Sequence, residues 1–369
     1  MSIQLSLHRR TQTAVTGALV LAVLILAVLL YRSLGIGGSD RTAPVATNPA
    51  DPPAEWIHVY FTDPSGPNAK SLRGGPDADL AAAIDAARLS VDVAVFDLNL
   101  WSVRDALVAA HRRGVTVRVV TDSDNLESEE IQDLKGAGIP VLGDRRESLM
   151  HNKFAIIDRR EVWSGSMNFT INDAYKNNNN LIRMRSSKLA DDYTNEFEEM
   201  FVRDQFGQGS PANTPYPSLE VEGTPLEIYF SPDDGAAAHL VKRIQKAQRS
   251  IHFLVYSFTS NDIADAILER AQAGVTVSGV FEASQVDSNF GGEYQRLLDA
   301  GLDVRLDSNV YNMHHKVIII DGQVVVTGSY NFSANAEERN DENLLVIDNP
   351  VIAGQYEAEF ARIYSQAQQ

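Results

Sequence analysis

HNKFAIIDRREVWSGSMN, residues 151–168, returns as HHKVIIIDGQVVVTGSYN, residues 314–331. In both copies a His is followed two residues later by Lys, seven later by Asp and, after six further residues, by Gly-Ser-x-Asn. At roughly one chance in twenty per position, a match of six positions anywhere in the chain has a probability on the order of 10⁻⁵. The chain therefore carries its key segment twice.

Phe154 to Ile157 and Val317 to Ile320 are short apolar runs rich in β-branched residues, which suit buried strands. Residues two apart on a strand share a face, so His151 projects with Lys153 and His314 with Lys316. Asp158 and Asp321 fall on the opposite face by plain alternation. Asp321-Gly322 is a hairpin signal, and Asp158-Arg159 occupies the same place in the first copy, so a turn role and a catalytic role are both open for these two acids. Ser166 with Asn168, and Ser329 with Asn331, are again two apart and supply short polar groups able to hold a phosphate. Paired His and Lys with Ser and Asn donors, and no metal-ligand spacing, suit metal-free displacement at phosphorus. One imidazole attacks, the other protonates the leaving oxygen, and the remaining donors stabilise the charge that develops. A lone His in an apolar setting is usually structural; two in register with Lys argue for catalysis.

The duplicated HxKxxxxDx6GSxN pattern resembles the phospholipase D superfamily over about residues 56–369. That resemblance implies a pseudo-two-fold enzyme in which each repeat supplies one His-Lys-Asp set to a single site within one chain. It also implies a phosphohistidine intermediate and no metal or other cofactor. Twenty-eight residues after each motif His stand Asn179 and Glu342. In nuclease-like relatives the Glu342 position is a carboxylate that bonds a catalytic imidazole, and Asn179 departs from that pattern. Read within each repeat, Glu342 favours a protonated His314 acting as acid and Asn179 leaves His151 neutral as nucleophile.

The repeat extends beyond the motifs. His58-Val-Tyr-Phe-Thr parallels Glu227-Ile-Tyr-Phe-Ser, Ala-rich helical patterns at residues 79–87 and 236–248 lead into apolar strands at 91–96 and 251–256, and Gly-Val-Thr-Val occurs at 114 and again at 274. Strands alternating with helices predict an α/β fold of two pseudo-symmetric repeats, each a mixed β-sheet flanked by helices, at residues 56–206 and 226–369. A Gly, Ser and Pro-rich stretch, residues 207–225, reads as the linker between them. Upstream, residues 14–31 are uncharged and dominated by Leu, Val and Ala, which predicts a transmembrane anchor after a short cytoplasmic N-terminus, residues 1–13. Residues 32–55 read as a tether. The flanking Arg residues favour an extracytoplasmic body, secreted if the apolar segment is cleaved.

The sequence has no Cys, so disulfides and thiolate metal sites are excluded. Residues 1–55 hold four Arg against three acids, leaving 28 basic and 46 acidic residues in the remainder. An acidic body lacks the basic face that nucleic-acid binders present, and it docks poorly on anionic lipid. The expectation is a phosphodiesterase that hydrolyses a phospholipid head-group ester at a membrane surface. The alternatives are a metal-independent nuclease, a phosphatidyl transferase resembling cardiolipin synthases, and a non-catalytic binding module.

Overall fold

The computed structural model describes residues 56–368. The expected anchor and tether lie outside the described residues; among those residues no helix is long and apolar enough to cross a membrane.

Seven strands of the first repeat form one sheet: β1 (Ile57–Phe61), β2 (Ser90–Val95), β3 (Thr116–Thr121), β4 (Val141–Gly143), β5 (Lys153–Ile157), β6 (Glu161–Gly165) and β7 (Asn180–Arg185), in the order β1-β7-β6-β5-β2-β3-β4. Eight form the second: β8 (Ser218–Val221), β9 (Thr224–Ser231), β10 (Ser250–Val255), β11 (Thr276–Phe281), β12 (Asp303–Leu306), β13 (Lys316–Ile320), β14 (Val324–Gly328) and β15 (Glu342–Asp348), in the order β12-β11-β10-β13-β14-β15-β9-β8. Strands β2, β3 and β4 run parallel while β5 pairs antiparallel with β2, and β10, β11, β12 and β13 repeat that arrangement. Both sheets are mixed.

Period-two alternation along the motif strands explains why their apolar runs are unbroken. Phe154 and Ile156 face a central core with Tyr193, Phe197, Val317, Ile319, Tyr356 and Phe360, whereas Ala155 and Ile157 face an outer core with Leu80 and Leu107. In the second repeat Ile318 and Ile320 face outward onto Leu240 and Ile267. A strand covered on both faces needs apolar residues at every position. The central layer is filled by two helices, Ser187–Phe201 and Pro350–Tyr364. Each starts where a sheet strand ends: Ser186 accepts the Leu189 N–H, and Asn349 accepts those of Val351 and Ile352 ahead of Pro350.

The stretch expected to be a plain linker is partly sheet. Within it β8 pairs with β9 at the sheet edge, and Leu219 and Val221 pack on the central core, which ties the connection down.

Candidate active site

Both motif hairpins turn through residues in the left-handed region, Asp158 and Arg159 at φ 53° and 54°, Asp321 and Gly322 at 57° and 59°. Two such residues make the turn whose twist matches the flanking strands. The Asp side chains fold back from it. Asp158 accepts the backbone N–H groups of Arg88, Leu89 and Ser90 at 2.7–3.2 Å, and Asp321 accepts those of Gln248, Arg249 and Ser250 at 2.6–3.1 Å. This corrects the catalytic expectation for Asp158 and Asp321. Each sits at the far end of a five-residue strand from its Lys, about 17 Å of strand away, and fastens the hairpin to the loop before β2 or β10.

At the other strand ends the two repeats interlock. The His151 N–H donates to the Asp341 carbonyl at 2.9 Å, and the His314 N–H to the Asn178 carbonyl at 2.8 Å. Asp122 accepts the Met150 N–H at 3.0 Å and Glu282 that of Met313 at 2.6 Å, so the residue before each His is held by an acid from its own repeat. The imidazoles then reach across the boundary. His151 Nδ1 lies 2.8 Å from Glu342 Oε2, and His314 Nδ1 lies 3.0 Å from Asn179 Oδ1. The pairing expected within each repeat is therefore exchanged between repeats. The physical reason is the pair of parallel bridges Met150–Asp341 and Asn178–Met313, which set each motif beside the strand start of the opposite repeat.

These partners fix the tautomers. Glu342 only accepts, so His151 Nδ1 carries hydrogen and Nε2 has the lone pair when the ring is neutral. Asn179 donates from Nδ2 to the Asp173 carbonyl at 3.2 Å and accepts from Ser166 Oγ at 2.8 Å, so its Oδ1 faces the His314 Nδ1–H. Asp173 also brings a carboxylate oxygen to 3.8 Å from His314 Nδ1. Sequence reasoning missed Asp173 because the second repeat has Ala336 in its place. It also missed Phe96 and Tyr256, whose rings stand edge-on to His151 and His314 at 5.3 and 4.6 Å. The matching positions of these aromatics after β2 and β10 were a usable signal.

Lys153 and Lys316 are buried, and each donates to the carbonyl of its own motif His, at 2.7 and 2.8 Å. The serines do something other than expected. Ser166 Oγ donates to Asn179 and accepts the Asn180 N–H at 3.1 Å, and Ser329 Oγ accepts the Asn343 N–H at 3.0 Å; both are fully buried. They orient the opposite strand instead of lining the phosphate space. The glycine before each is required by the same close approach: Gly165 and Gly328 have φ of +150° and +133°, and a Cβ would come within 2.4 and 2.2 Å of the carbonyl oxygens of Asn180 and Asn343. Asn168 and Asn331 each keep a buried side-chain oxygen with no partner in the chain; that oxygen only accepts, so a phosphate could be met only by the amide nitrogen.

Burial, more than net charge, depresses the basic groups of the site. Burial pulls the His151 imidazole down to about 4 despite Glu342, with Lys153 and Lys316 pushing the same way. Burial drives His314 well below its ordinary value, and Lys316, Lys153 and His151 add to that. Lys153 falls to about 8 through burial, opposed by Glu342 and Asp173, and Lys316 is held well below its ordinary value by burial and the nearby Lys153. Such a pocket is complementary to an anion, whose arrival raises all four values and allows one imidazole to hold the transferable proton.

Comparisons with known proteins agree with this geometry. Residues 80–201 and 240–364, one segment in each repeat, match the family described as cardiolipin synthase, PLD-like domain. The chain is 33% identical over 141 residues to a phospholipase D of Rickettsia prowazekii, covering 38% of this chain and 68% of that protein. It is 35% identical over 133 residues to a mitochondrial cardiolipin hydrolase of Xenopus tropicalis, covering 36% of this chain and 63% of the relative. The crystal structure of a phosphatidylserine synthase from Haemophilus influenzae superposes with a TM-score of 0.62 over 86% of this chain and 90% of the other; at 15% identity that likeness is one of fold. With a family match spanning both repeats and both motifs facing one another, the chain belongs to the phospholipase D superfamily and is a phosphodiesterase of that superfamily.

Proposed function

We propose that this chain hydrolyses a phospholipid head-group ester, with the whole catalytic unit supplied by one chain. The exchange of orienting partners supports the single-chain unit: His151 takes Glu342 and His314 takes Asn179 from the opposite repeat. The relatives named phospholipase D and cardiolipin hydrolase support a lipid. Against a nucleic acid stand the acidic balance of the chain and the pairing of several of its surface arginines with acids. Arg145 pairs with Asp204, Arg146 with Asp341 and Arg159 with Glu198.

His151 is the nucleophile in this proposal. Its Nε2 forms a bond to phosphorus, the bond from phosphorus to the leaving oxygen breaks, and His314 Nε2–H gives that oxygen its proton. Water then loses a proton to His314, attacks phosphorus and releases His151. In the first step positive charge appears on the attacking ring and leaves the donating one. A carboxylate on the former and a neutral amide on the latter both favour that transfer, since catalysis responds to what is stabilised more in the transition state. Lys153, Lys316, Asn168 and Asn331 are assigned to the non-bridging oxygens.

Turnover of phosphatidylcholine and cardiolipin vesicles, single- and double-stranded oligonucleotides and a soluble phosphodiester, each with excess chelator, tests the proposal. Lipid cleavage that survives chelation is expected, with loss in His151→Ala and in His314→Ala. Cleavage of oligonucleotides that falls with salt while all lipid stays intact overturns it. Quenched reactions should carry the phosphoryl group on the peptide bearing His151. The uncharged residues 14–31 further support a membrane-anchored, extracytoplasmic body; a reporter fused after Gln369 should be active only outside the cytoplasm.

A further inference from the structure

Two surface loops beside the second motif carry no charged residue in a chain of net charge −17: residues 288–292, SNFGG, and residues 308–313, SNVYNM. The first is held next to Tyr256, the ring that stands against His314, and the second to Asn178, whose carbonyl accepts the His314 N–H. Asn289 donates to Ser257 Oγ at 3.0 Å, and Gln285 donates to the Tyr256 hydroxyl at 3.2 Å, the ring that stands against His314. Asn309 donates to Asn178 Oδ1 at 2.8 Å and to the Lys176 carbonyl at 2.9 Å, and the Asn178 carbonyl holds the His314 N–H. The tips of these loops are apolar and bare. Phe290 is 103% exposed, Val310 91% and Tyr311 50%, and the first two are the most exposed large hydrophobic residues among those described. Lys176 places its ammonium 5.2 Å from the centre of the Tyr311 ring.

We propose that Phe290, Val310 and Tyr311 insert into a phospholipid bilayer of net-neutral head groups and set the face beside His314 against it. Three physical points select that occupant. A polyanion needs a cationic track, and neither loop has one. A protein partner needs a contiguous surface of about 1,000 Å² or more, whereas these are separate tips, one of them followed by Gly291-Gly292. An exposed Phe and Val beside a Tyr paired with Lys is the amphipathic set that rests at head-group depth, and the acidic body disfavours an anionic bilayer. The proposal deepens the lipid reading and rests on it for its purpose, yet docking is measurable apart from hydrolysis.

The absence of Cys allows single labels. Phe290→Cys, Val310→Cys and Leu89→Cys, each made in the full chain and carrying an environment-sensitive fluorophore, are mixed with phosphatidylcholine vesicles. Leu89 is also exposed, at 70%, but stands with Asp158 at the far end of the first motif strand. The labels at 290 and 310 should shift to the blue and become shielded from an aqueous quencher, while the label at 89 stays accessible. Tip labels as accessible as the one at 89 overturn the proposal. Phe290→Ser combined with Val310→Ser should lower vesicle turnover about tenfold or more, from the lost apolar transfer energy, and leave a soluble phosphodiester turned over at the wild-type rate. Equal vesicle turnover would also overturn it. Shielded tips on vesicles whose lipid is never cleaved would uphold docking and remove the lipid hydrolysis reading instead.

Discussion

At the scale of single residues the two imidazoles differ in what holds them, and that difference separates the effects of two substitutions. Glu342→Gln replaces a charge-assisted bond by a neutral one, a loss of about 1–1.5 kcal/mol or roughly tenfold in rate. It also lowers the pKa of His151, which as the proposed nucleophile must be neutral to attack, so the acid limb of the pH–rate profile should move to lower pH. Asp173→Asn removes the carboxylate 3.8 Å from His314, which as the proposed acid must be protonated, so the alkaline limb should move down instead. A shift of the same limb in both variants would contradict the division of roles. Anion binding offers an independent check. Because both rings are held neutral by burial and by the lysines, inorganic phosphate should bind more tightly as pH falls from 7 to 5, with uptake of protons detectable by titration calorimetry in two buffers. The motif His and Lys were legible from their spacing of two on a strand. The exchange of Glu342 and Asn179 was not, because an offset of twenty-eight is the same count whether the contact forms within a repeat or between repeats. Asp173 has no counterpart in the second copy, so no comparison of the copies could expose it.

At the scale of elements the outline that the two hairpins share, from Lys through Asp to Gly-Ser, divides into an end at the candidate site and an end that holds the sheet. Burial tends to raise the Asp158 carboxyl, but its bonds from the N–H groups of Leu89, Arg88 and Ser90 together hold it below the usual range. Stability from this group is therefore present above its unfolded value near 3.8 and is lost as pH falls through the lower folded one. Asp158→Ala and Asp321→Ala should each destabilise the protein by about 1–3 kcal/mol in urea unfolding while the folded fraction keeps its kcat; a collapse of kcat at full folding would restore a chemical role. Gly328→Ala should be more damaging, since the backbone of β15 blocks the new methyl. Plain alternation already placed Asp158 and Asp321 opposite the Lys face, and the Asp-Gly signal marked the turn. What remained hidden was the set of backbone donors, which arrive from loops some 70 residues away in sequence. The linker reading failed for a comparable reason: Leu219 and Val221 are too few to signal a strand without the β9 edge that receives them.

At the scale of the whole molecule, the central layer carries a second titrating group besides the site. Asp192 of the Ser187–Phe201 helix and Asp233 beyond β9 are each pushed up to about 7, chiefly by burial, and Glu196 lies well above its usual value for the same cause. Acids protonated in the fold contribute stability below their unfolded pKa, and that contribution is lost as pH rises through the folded value. Asp192→Asn should therefore gain melting temperature over the parent progressively from pH 4 to pH 7 and hold the gain above, measured by calorimetry. The buried His151 imidazole acts in the other sense, since the stability gained by keeping it neutral fades as pH drops from 6.5 toward 4. The exchanged partners also bear on how the enzyme is made. During synthesis the first motif emerges at residue 151 with its lone pair undirected, and the carboxylate that orients it is residue 342 of 369. Until residue 342 has been made, the His151 ring lacks the carboxylate that directs its lone pair, so a chain released before that point carries an unoriented imidazole.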